Sequence, residues 1–367
     1  MDVKIMYAEI LRKAYFLYLN ARYGNKNWHR YYQEMRESQW WPPDKIAELQ
    51  LERLKALLRH AYQNVPYYNR RFTEARLHPD DIKTLDDLAK LPILTKKDIR
   101  ENQSELVARR FPQRQVVPTA TSGSTGEPLQ FFRSREGNAR GLAGAFLAYS
   151  WYGYQPGDKR IHLYGKRGVS GYDSMMQSLF KEIRLRIARI VHFDAYSMSE
   201  KQMERLARKI YQFKPKMITA YASVAYLLAR YLKHRGIENI RTEAVVSHAQ
   251  QLFPEYRELI REVFGCEVFD IYGSVETPSM ATECPEHTGY HVLTPNVILE
   301  FIRNNQPVSP GKVGKIVATD LHNYAMPFIR YENGDLGIPL NEKCPCGRGL
   351  PLMKEITGRI NDIIIGP

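Results

Sequence analysis

The sequence predicts an α/β protein: parallel-rich sheets with flanking helices, and a smaller β-rich portion near the C-terminus. Three observations predict it. The first hundred residues read as helical and basic. Between Lys216 and Tyr272 short apolar runs alternate with helical segments, the rhythm of strands paired in parallel through right-handed crossovers. After Val292 the texture changes to short strands separated by Gly/Pro turns.

The elements follow in order. From Ile46 to Asn64, apolar residues fall at Ala47, Leu51, Leu54, Leu58 and Ala61, which is one helix face. Asp44 is expected to cap this helix and Val65-Pro66 to end it. The preceding stretch, Tyr7 to Trp41, mixes Tyr, Trp, Phe and Arg. Two readings stand for it: aromatics packed into a core, which is favoured, or a helix in weak contact with a membrane surface. Ser197 and Glu200 form an expected capping box ahead of Met203, Leu206 and Ile210, and Pro215 stops that helix. Lys216 to Tyr221 reads as a strand, Ser223 as the cap of a helix carrying Leu227, Leu228, Tyr231 and Leu232. Ala244 to Ala249, Pro254 to Phe264 and Glu267 to Tyr272 read as strand, helix and strand, and Lys315 to Leu321 as the clearest late strand.

The chain has 367 residues, 44% hydrophobic and 25% charged, which suits a globular protein and excludes a disordered or collagen-like one. The uncharged run Gly141 to Gly157 is broken by Ser150, Gly153, Gln155 and Pro156, so it reads as buried rather than membrane-spanning. Met1-Asp2-Val3-Lys4 lacks the pattern of a secretory signal, and four cysteines are too few for a disulfide framework. A reducing cytoplasm is therefore expected. The net charge of +13, from 53 Lys and Arg against 40 Asp and Glu, favours anionic partners without choosing among them.

Thr121-Ser122-Gly123-Ser124-Thr125-Gly126-Glu127-Pro128 is the most unusual stretch. Glycines and hydroxyl residues in succession expose backbone N–H groups and add hydroxyl donors, the means by which a loop wraps phosphate. It is neither a Walker loop nor a GxGxxG element. Tyr272-Gly273-Ser274-Val275-Glu276 follows a strand directly, placing a glycine turn and a carboxylate where open α/β sheets bind ligands. Further on come Pro327-Phe328-Ile329-Arg330-Tyr331-Glu332-Asn333-Gly334-Asp335-Leu336 and Gly358-Arg359-Ile360-Asn361-Asp362.

In this order and at these separations, the four segments resemble those of the adenylate-forming enzymes, and most closely the phenylacetate–CoA ligase and CapK-type branch. That branch shares the leader helix into His60-Ala61-Tyr62-Gln63-Asn64-Val65-Pro66-Tyr67-Tyr68. The resemblance runs from about residue 25 to the last residue. It implies ATP, Mg²⁺ and an organic acid, aryl or other, as reactants, with CoA or another acyl acceptor taking the acyl group. It implies a helical part over 1–100, a nucleotide-binding core with a β-rich part over 101–358, and a hinge over 359–367.

Residue by residue, the resemblance implies that Thr121, Ser122, Gly123, Ser124, Thr125 and Gly126 form the loop over the ATP phosphates. Tyr272 would pack on adenine, with Gly273, Ser274, Ala249 and Gln250 lining the nucleotide. Glu276 would hold Mg²⁺, Asp335 the ribose hydroxyls, and Arg359 the ribose or phosphate. Glu276, Thr125 and Arg359 would carry the catalytic roles. Left to themselves, Asp335 reads as a turn or cap residue and Arg359 as a surface ion pair. Three departures stand out. Leu129 takes the place of the lysine that commonly follows the proline of the phosphate loop. Ser247-His248-Ala249-Gln250 replaces a glycine-glycine-glutamate element, and His248 reads equally well as a packed, hydrogen-bonded histidine. Asn361 stands at the hinge aspartate, and the small C-terminal domain with the family's catalytic lysine lies beyond this sequence, so weak adenylation by these residues alone is expected.

Cys284-Pro285-Glu286-His287-Thr288-Gly289-Tyr290-His291 and Cys344-Pro345-Cys346-Gly347 offer three thiolates and an imidazole, a set suited to tetrahedral Zn²⁺ in a structural role. Cys284, His291, Cys344 and Cys346 are the expected ligands, His291 being favoured over His287 because it opens a strand-like segment. Cys266 reads as core. Several members of the resembled branch carry a similar set, and the branch often dimerises. A nucleotide-binding module without turnover is the competing reading. A zinc-containing nucleic-acid binder is a distant one, since no helix-turn-helix, RRM or finger pattern is visible, and no nucleic-acid partner is expected.

Overall fold

The computed structural model describes residues 27–121, 128–165 and 188–359, with positions 10, 13, 15, 17 and 19 of an earlier helix. In chain order its strands are β1 (Val116–Ala120), β2 (Gln130–Ser134), β3 (Arg160–Tyr164), β4 (Ile190–Asp194), β5 (Met217–Tyr221), β6 (Ala244–His248) and β7 (Glu267–Tyr272). The series continues with β8 (Ala281–Glu283), β9 (Tyr290–Val292), β10 (Val297–Arg303), β11 (Gln306–Pro307), β12 (Gly314–Asp320), β13 (Tyr331–Leu340) and β14 (Leu352–Arg359). Two compact units interleave along the chain: Met1–Arg22 with Ala148–Tyr272, and Tyr23–Leu147 with Gly273–Pro367. The helical segment before residue 100 and the late β-rich part thus share one unit.

The first unit is a parallel sheet. Its strands run β4-β3-β5-β6-β7, with His162 paired to both His192 and Thr219, and Tyr221 to His248. Alternation assigns the two faces. Ile161, Leu163, Ile218, Ala220, Val245 and Val268 point into one core, against Leu206, Ile210, Leu228, Leu232, Ile260 and Phe264 of the helices. Arg160, His162 and Tyr164 alternate with the inward residues of β3.

The helices form where the apolar spacing demands, but their starts differ from expectation. Helix Glu200–Phe213 is entered from Ser199, not Ser197, and Ser199 makes no side-chain cap; its carbonyl accepts from the Met203 amide at 2.9 Å. Helix Ala222–His234 begins before Ser223, whose amide instead donates to Gln250 Oε1 at 3.0 Å. Helix Pro43–Asn64, in the second unit, begins with Pro43 at its first position, leaving Asp44 inside the first turn rather than at the cap. Proline there loses no bond, because the N–H it lacks has no acceptor within a helix.

The second unit packs helices Pro43–Asn64 and Pro66–Glu74 around Leu54, Leu58, Phe72, Phe131, Phe328 and Tyr331. Its antiparallel strands run β11-β10-β12-β13-β14-β9-β8, and β1 pairs with β2. An isolated parallel bridge joins Leu94 to Tyr331. No described helix is long and apolar enough to cross a membrane.

Candidate functional site

In the first unit the chemistry gathers at the C-terminal ends of the parallel strands. Tyr221 ends β5, His248 ends β6 and the buried Tyr272 ends β7. Ala249, just past β6, holds φ at +62°, a left-handed conformation a non-glycine residue adopts at a cost. Gln250 is committed to the helix start at Ser223 described above. His248 is a packed histidine: its Nε2 lies 3.4 Å from the Tyr149 hydroxyl, and Tyr164 stands 5.8 Å away ring to ring. Burial, then the Arg160 charge, drives the His248 pKa down to about 3, so the ring is neutral. Tyr164 also stacks on His162 at 4.1 Å and meets Tyr221 at 4.6 Å.

In the second unit, Gly273 to Thr277 form a tight turn. The Ser274 amide donates to the Thr277 carbonyl, and the Thr277 amide to Ser274 Oγ, each at 3.0 Å. The turn delivers Glu276, only 5% exposed, with its Oε1 accepting from the Tyr331 hydroxyl at 2.9 Å. No hydrogen bond to Glu276 Oε2 forms among the described residues. Burial, and next the charge of Glu276, raises the Tyr331 pKa, so the phenol keeps its proton.

On β13, Asn333 and Asp335 bond one another twice, side chain to side chain and Asp335 amide to Asn333 Oδ1, each at 3.0 Å. Asp335 is the cross-strand partner of Arg359, whose Nε donates to Oδ1 at 3.2 Å. Arg359 is therefore a half-exposed cation, 47% accessible, held beside a nearly buried carboxylate. Thr121 closes the base of the glycine-rich loop, its amide bonding the Leu129 carbonyl at 3.0 Å and its hydroxyl the Leu129 amide at 2.9 Å. Ser122, Gly123, Ser124, Thr125 and Gly126 lie outside the described residues, as does the hinge expected at Asn361. Leu129 itself is core, packed with Phe131 and Phe328 in the same cluster.

Cys284, His291, Cys344 and Cys346 converge, with their donor atoms all within 4.8 Å of one another. Two reverse turns achieve this: the His287 amide returns to the Cys284 carbonyl at 3.0 Å, and the Gly347 amide to the Cys344 carbonyl at 3.1 Å. Strand β9 supplies His291, whose Nε2 stands 3.3 Å from Cys346 Sγ. Cys284 and Cys344 sulfurs are 3.5 Å apart. These separations approach the edges of a tetrahedron with Zn–S bonds of about 2.3 Å, and the soft N/S donors are those zinc takes. His287 turns instead toward Glu283, 3.7 Å away.

Comparison with known proteins fixes the lineage. A phenylacetate–coenzyme A ligase of Thermus thermophilus is 31% identical, the match covering 88% of this chain and 72% of the relative. The Escherichia coli enzyme of the same name is also 31% identical, over 88% and 73%. The chain belongs to the phenylacetate–coenzyme A ligase family. Protein CapK of Staphylococcus aureus is 24% identical, covering 95% of this chain and 74% of that protein. A solved 2-hydroxyisobutyryl-CoA ligase, in complex with 2-HIB-AMP and CoA, has the same fold at a TM-score of 0.74. It is 23% identical, over 89% of this chain and 72% of that one. No protein-family model matches the chain.

Within this member of the phenylacetate–coenzyme A ligase family, the structure brings together Asp335 with Arg359, and the four zinc-type ligands. Sequence reasoning missed Arg133, a buried guanidinium bound to the Glu276 carbonyl, and the bond from Tyr331 to the Glu276 carboxylate. Tyr331 stands inside a motif already singled out. No motif marks Arg133: beside Asn138, five residues on, its partners Glu276 and Asp320 lie 143 and 187 residues away.

Proposed function

We propose that this chain is an ATP-dependent, AMP-forming acid–coenzyme A ligase. A carboxylate oxygen of the acid attacks the α-phosphorus of ATP in line, forming the acyl–AMP mixed anhydride and releasing pyrophosphate. The thiol of CoA then attacks the acyl carbon, the thiol proton passes to solvent, and AMP leaves. No general base is needed for the first step, since the acid is already ionised at neutral pH. Catalysis is positioning and charge neutralisation.

The observation that carries the reading is the second unit's pair of carboxylates. Glu276 offers a hard oxygen donor suited to Mg²⁺, and Asp335, braced by Asn333 and Arg359, suits a vicinal diol. Mg²⁺, when bound, would neutralise phosphate charge. Thr121 holds the base of the loop that would cover the phosphates. Aromatic rings at the strand ends of the first unit, Tyr164 and Tyr221, support an aryl acid. Zn²⁺ would be held by Cys284, His291, Cys344 and Cys346, with no position left open for catalysis. Four free cysteines agree with a reducing, cytoplasmic setting.

Acid-dependent ATP–pyrophosphate exchange, followed by thioester formation with CoA, tests the proposal. Weak exchange stimulated by aryl acids, and lowered further by Glu276→Gln, is expected of these residues alone. Tight nucleotide binding without exchange under any acid would instead make the chain a binding module.

A further inference from the structure

Glu276 is fixed at three points, and only one of them belongs to its own turn. The turn requires Gly273: a Cβ there would stand 2.6 Å from the Ser279 amide nitrogen. The second point is the backbone. Arg133, 3% exposed, donates Nη1 to the Glu276 carbonyl while Nη2 pairs with Asp320 at 3.2 Å and Nε with Asn138 at 2.7 Å. A guanidinium offers a rigid fork of donors, so these three partners fix its plane and, through it, the position of the carbonyl. The third point is the side chain itself, through the Tyr331 hydroxyl on Oε1.

Tyr331 is the first residue of β13, the strand that carries Asn333 and Asp335. It is wholly buried and paired with Ala318 and bridged to Leu94, so its ring has little freedom to follow a moving carboxylate. A carboxylate held by one oxygen presents the other in a set direction. An untethered glutamate would have to lose side-chain freedom each time it took a ligand.

We propose that Tyr331 and Arg133 are positioning residues for the carboxylate of Glu276, with Tyr331 joining the metal-binding and ribose-binding elements through β13. The inference rests on the reading of Glu276 as the Mg²⁺ ligand. Calorimetric titration with ATP, with and without Mg²⁺, on wild type, Tyr331→Phe, Glu276→Gln and the double variant tests it. The phenylalanine keeps the ring, and therefore the core, while deleting the donor.

In Tyr331→Phe the gain in ATP affinity that Mg²⁺ confers should fall about tenfold, while affinity without Mg²⁺ stays as in wild type. Glu276→Gln should abolish the gain, and the double variant should match Glu276→Gln alone. A full Mg²⁺ gain in Tyr331→Phe beside a lost gain in Glu276→Gln overturns the positioning role and leaves the proposed function standing. Equal weakening with and without Mg²⁺ in Tyr331→Phe marks a merely structural tyrosine and also overturns it. A Glu276→Gln protein that keeps the full gain removes Glu276 as the metal ligand, and the inference falls with that reading.

Discussion

The two units solve the same problem, burying a sheet, in opposite ways. In the parallel unit β5, β6 and β7 lie side by side, each joined to the next by one helical crossover, and β5 pairs β6 and β6 pairs β7 in register along their lengths. In the other unit hairpins of consecutive strands are tied together by contacts between segments far apart in the chain. Leu94 meets Tyr331, Arg133 meets Asp320, and β9 meets β14. Both units hold an apolar cluster, and the second also buries the Arg133–Asp320 ion pair, Glu276 with Tyr331, and the Cys/His cluster. Local order builds a scaffold cheaply; side chains that must face one another with fixed geometry are drawn from distant segments that the scaffold brings together.

The largest test of that contrast is the Cys/His cluster, which ties the loop after β8 to the loop before β14. With a metal bound to the folded state and no preformed site in the unfolded chain, binding free energy becomes folding free energy. Cys344→Ser should reduce zinc content, measured by elemental analysis, from one ion per chain to none. It should also destabilise the second unit by about 3 kcal/mol or more, read as lost amide-exchange protection at β8, β9 and β14. Protection of β5 to β7 should be retained. Wild-type protein purified without zinc, and unchanged by added zinc, would break the comparison at its strongest point.

What the sequence disclosed follows the same line. Helix Pro254–Phe264 and strand β7 were legible to the residue because proline, glycine and apolar periodicity are all local signals. The helix starts at Ser199 and Tyr221 were not, since neither uses a side-chain cap and serine nearby offered a false one. Among the candidate site residues, Glu276, Asp335 and the cysteines sit in short motifs whose spacing suits the proposed chemistry. Arg133 has no such motif: it is one arginine of many, and only its burial against Glu276 and Asp320 distinguishes it. Gln250, expected to line the nucleotide, has its side-chain oxygen bonded by the Ser223 amide.

Acid sharpens the comparison at smaller scale. Desolvated, neutral histidines occur in both units: the half-buried His162 and His248 in the parallel one, and the buried His322 in the other, where its Nε2 meets the Pro295 carbonyl at 2.8 Å. Burial is the first cause in each case, and each pKa is lowered. The unfolded imidazole takes a proton below about pH 6.5 and the folded one does not. Their contribution to stability is therefore complete above that pH and is lost as the pH falls toward the folded pKa, which for His248 is about 3. Each histidine adds a slope of about 1.4 kcal/mol per pH unit below 6. Denaturant unfolding at pH 7 and pH 5.5 should show His248→Phe losing one proton's worth of this dependence. An unchanged slope would mean His248 titrates alike in both states.

The smallest expected effect lies within the parallel unit, where two helices end in the same way with different residues. Gly265 closes helix Pro254–Phe264 at φ +62°, ψ +39°, and Lys214 closes helix Glu200–Phe213 at φ +49°, ψ +65°. Each cap amide returns to the carbonyl four residues back, at 2.9 Å for Gly265 and 2.8 Å for Lys214. Only glycine adopts this left-handed conformation without a Cβ clash. Gly265→Ala should therefore cost about 1 kcal/mol, and Lys214→Gly should gain roughly 0.5–1 kcal/mol despite the extra freedom it gives the unfolded chain. Opposite signs in the two variants, measured by denaturant midpoint at constant slope, would show that the cap conformation is imposed by the fold at both ends. A loss of stability in Lys214→Gly would mean that the lysine side chain stabilises the end of its helix by more than the strain its backbone carries.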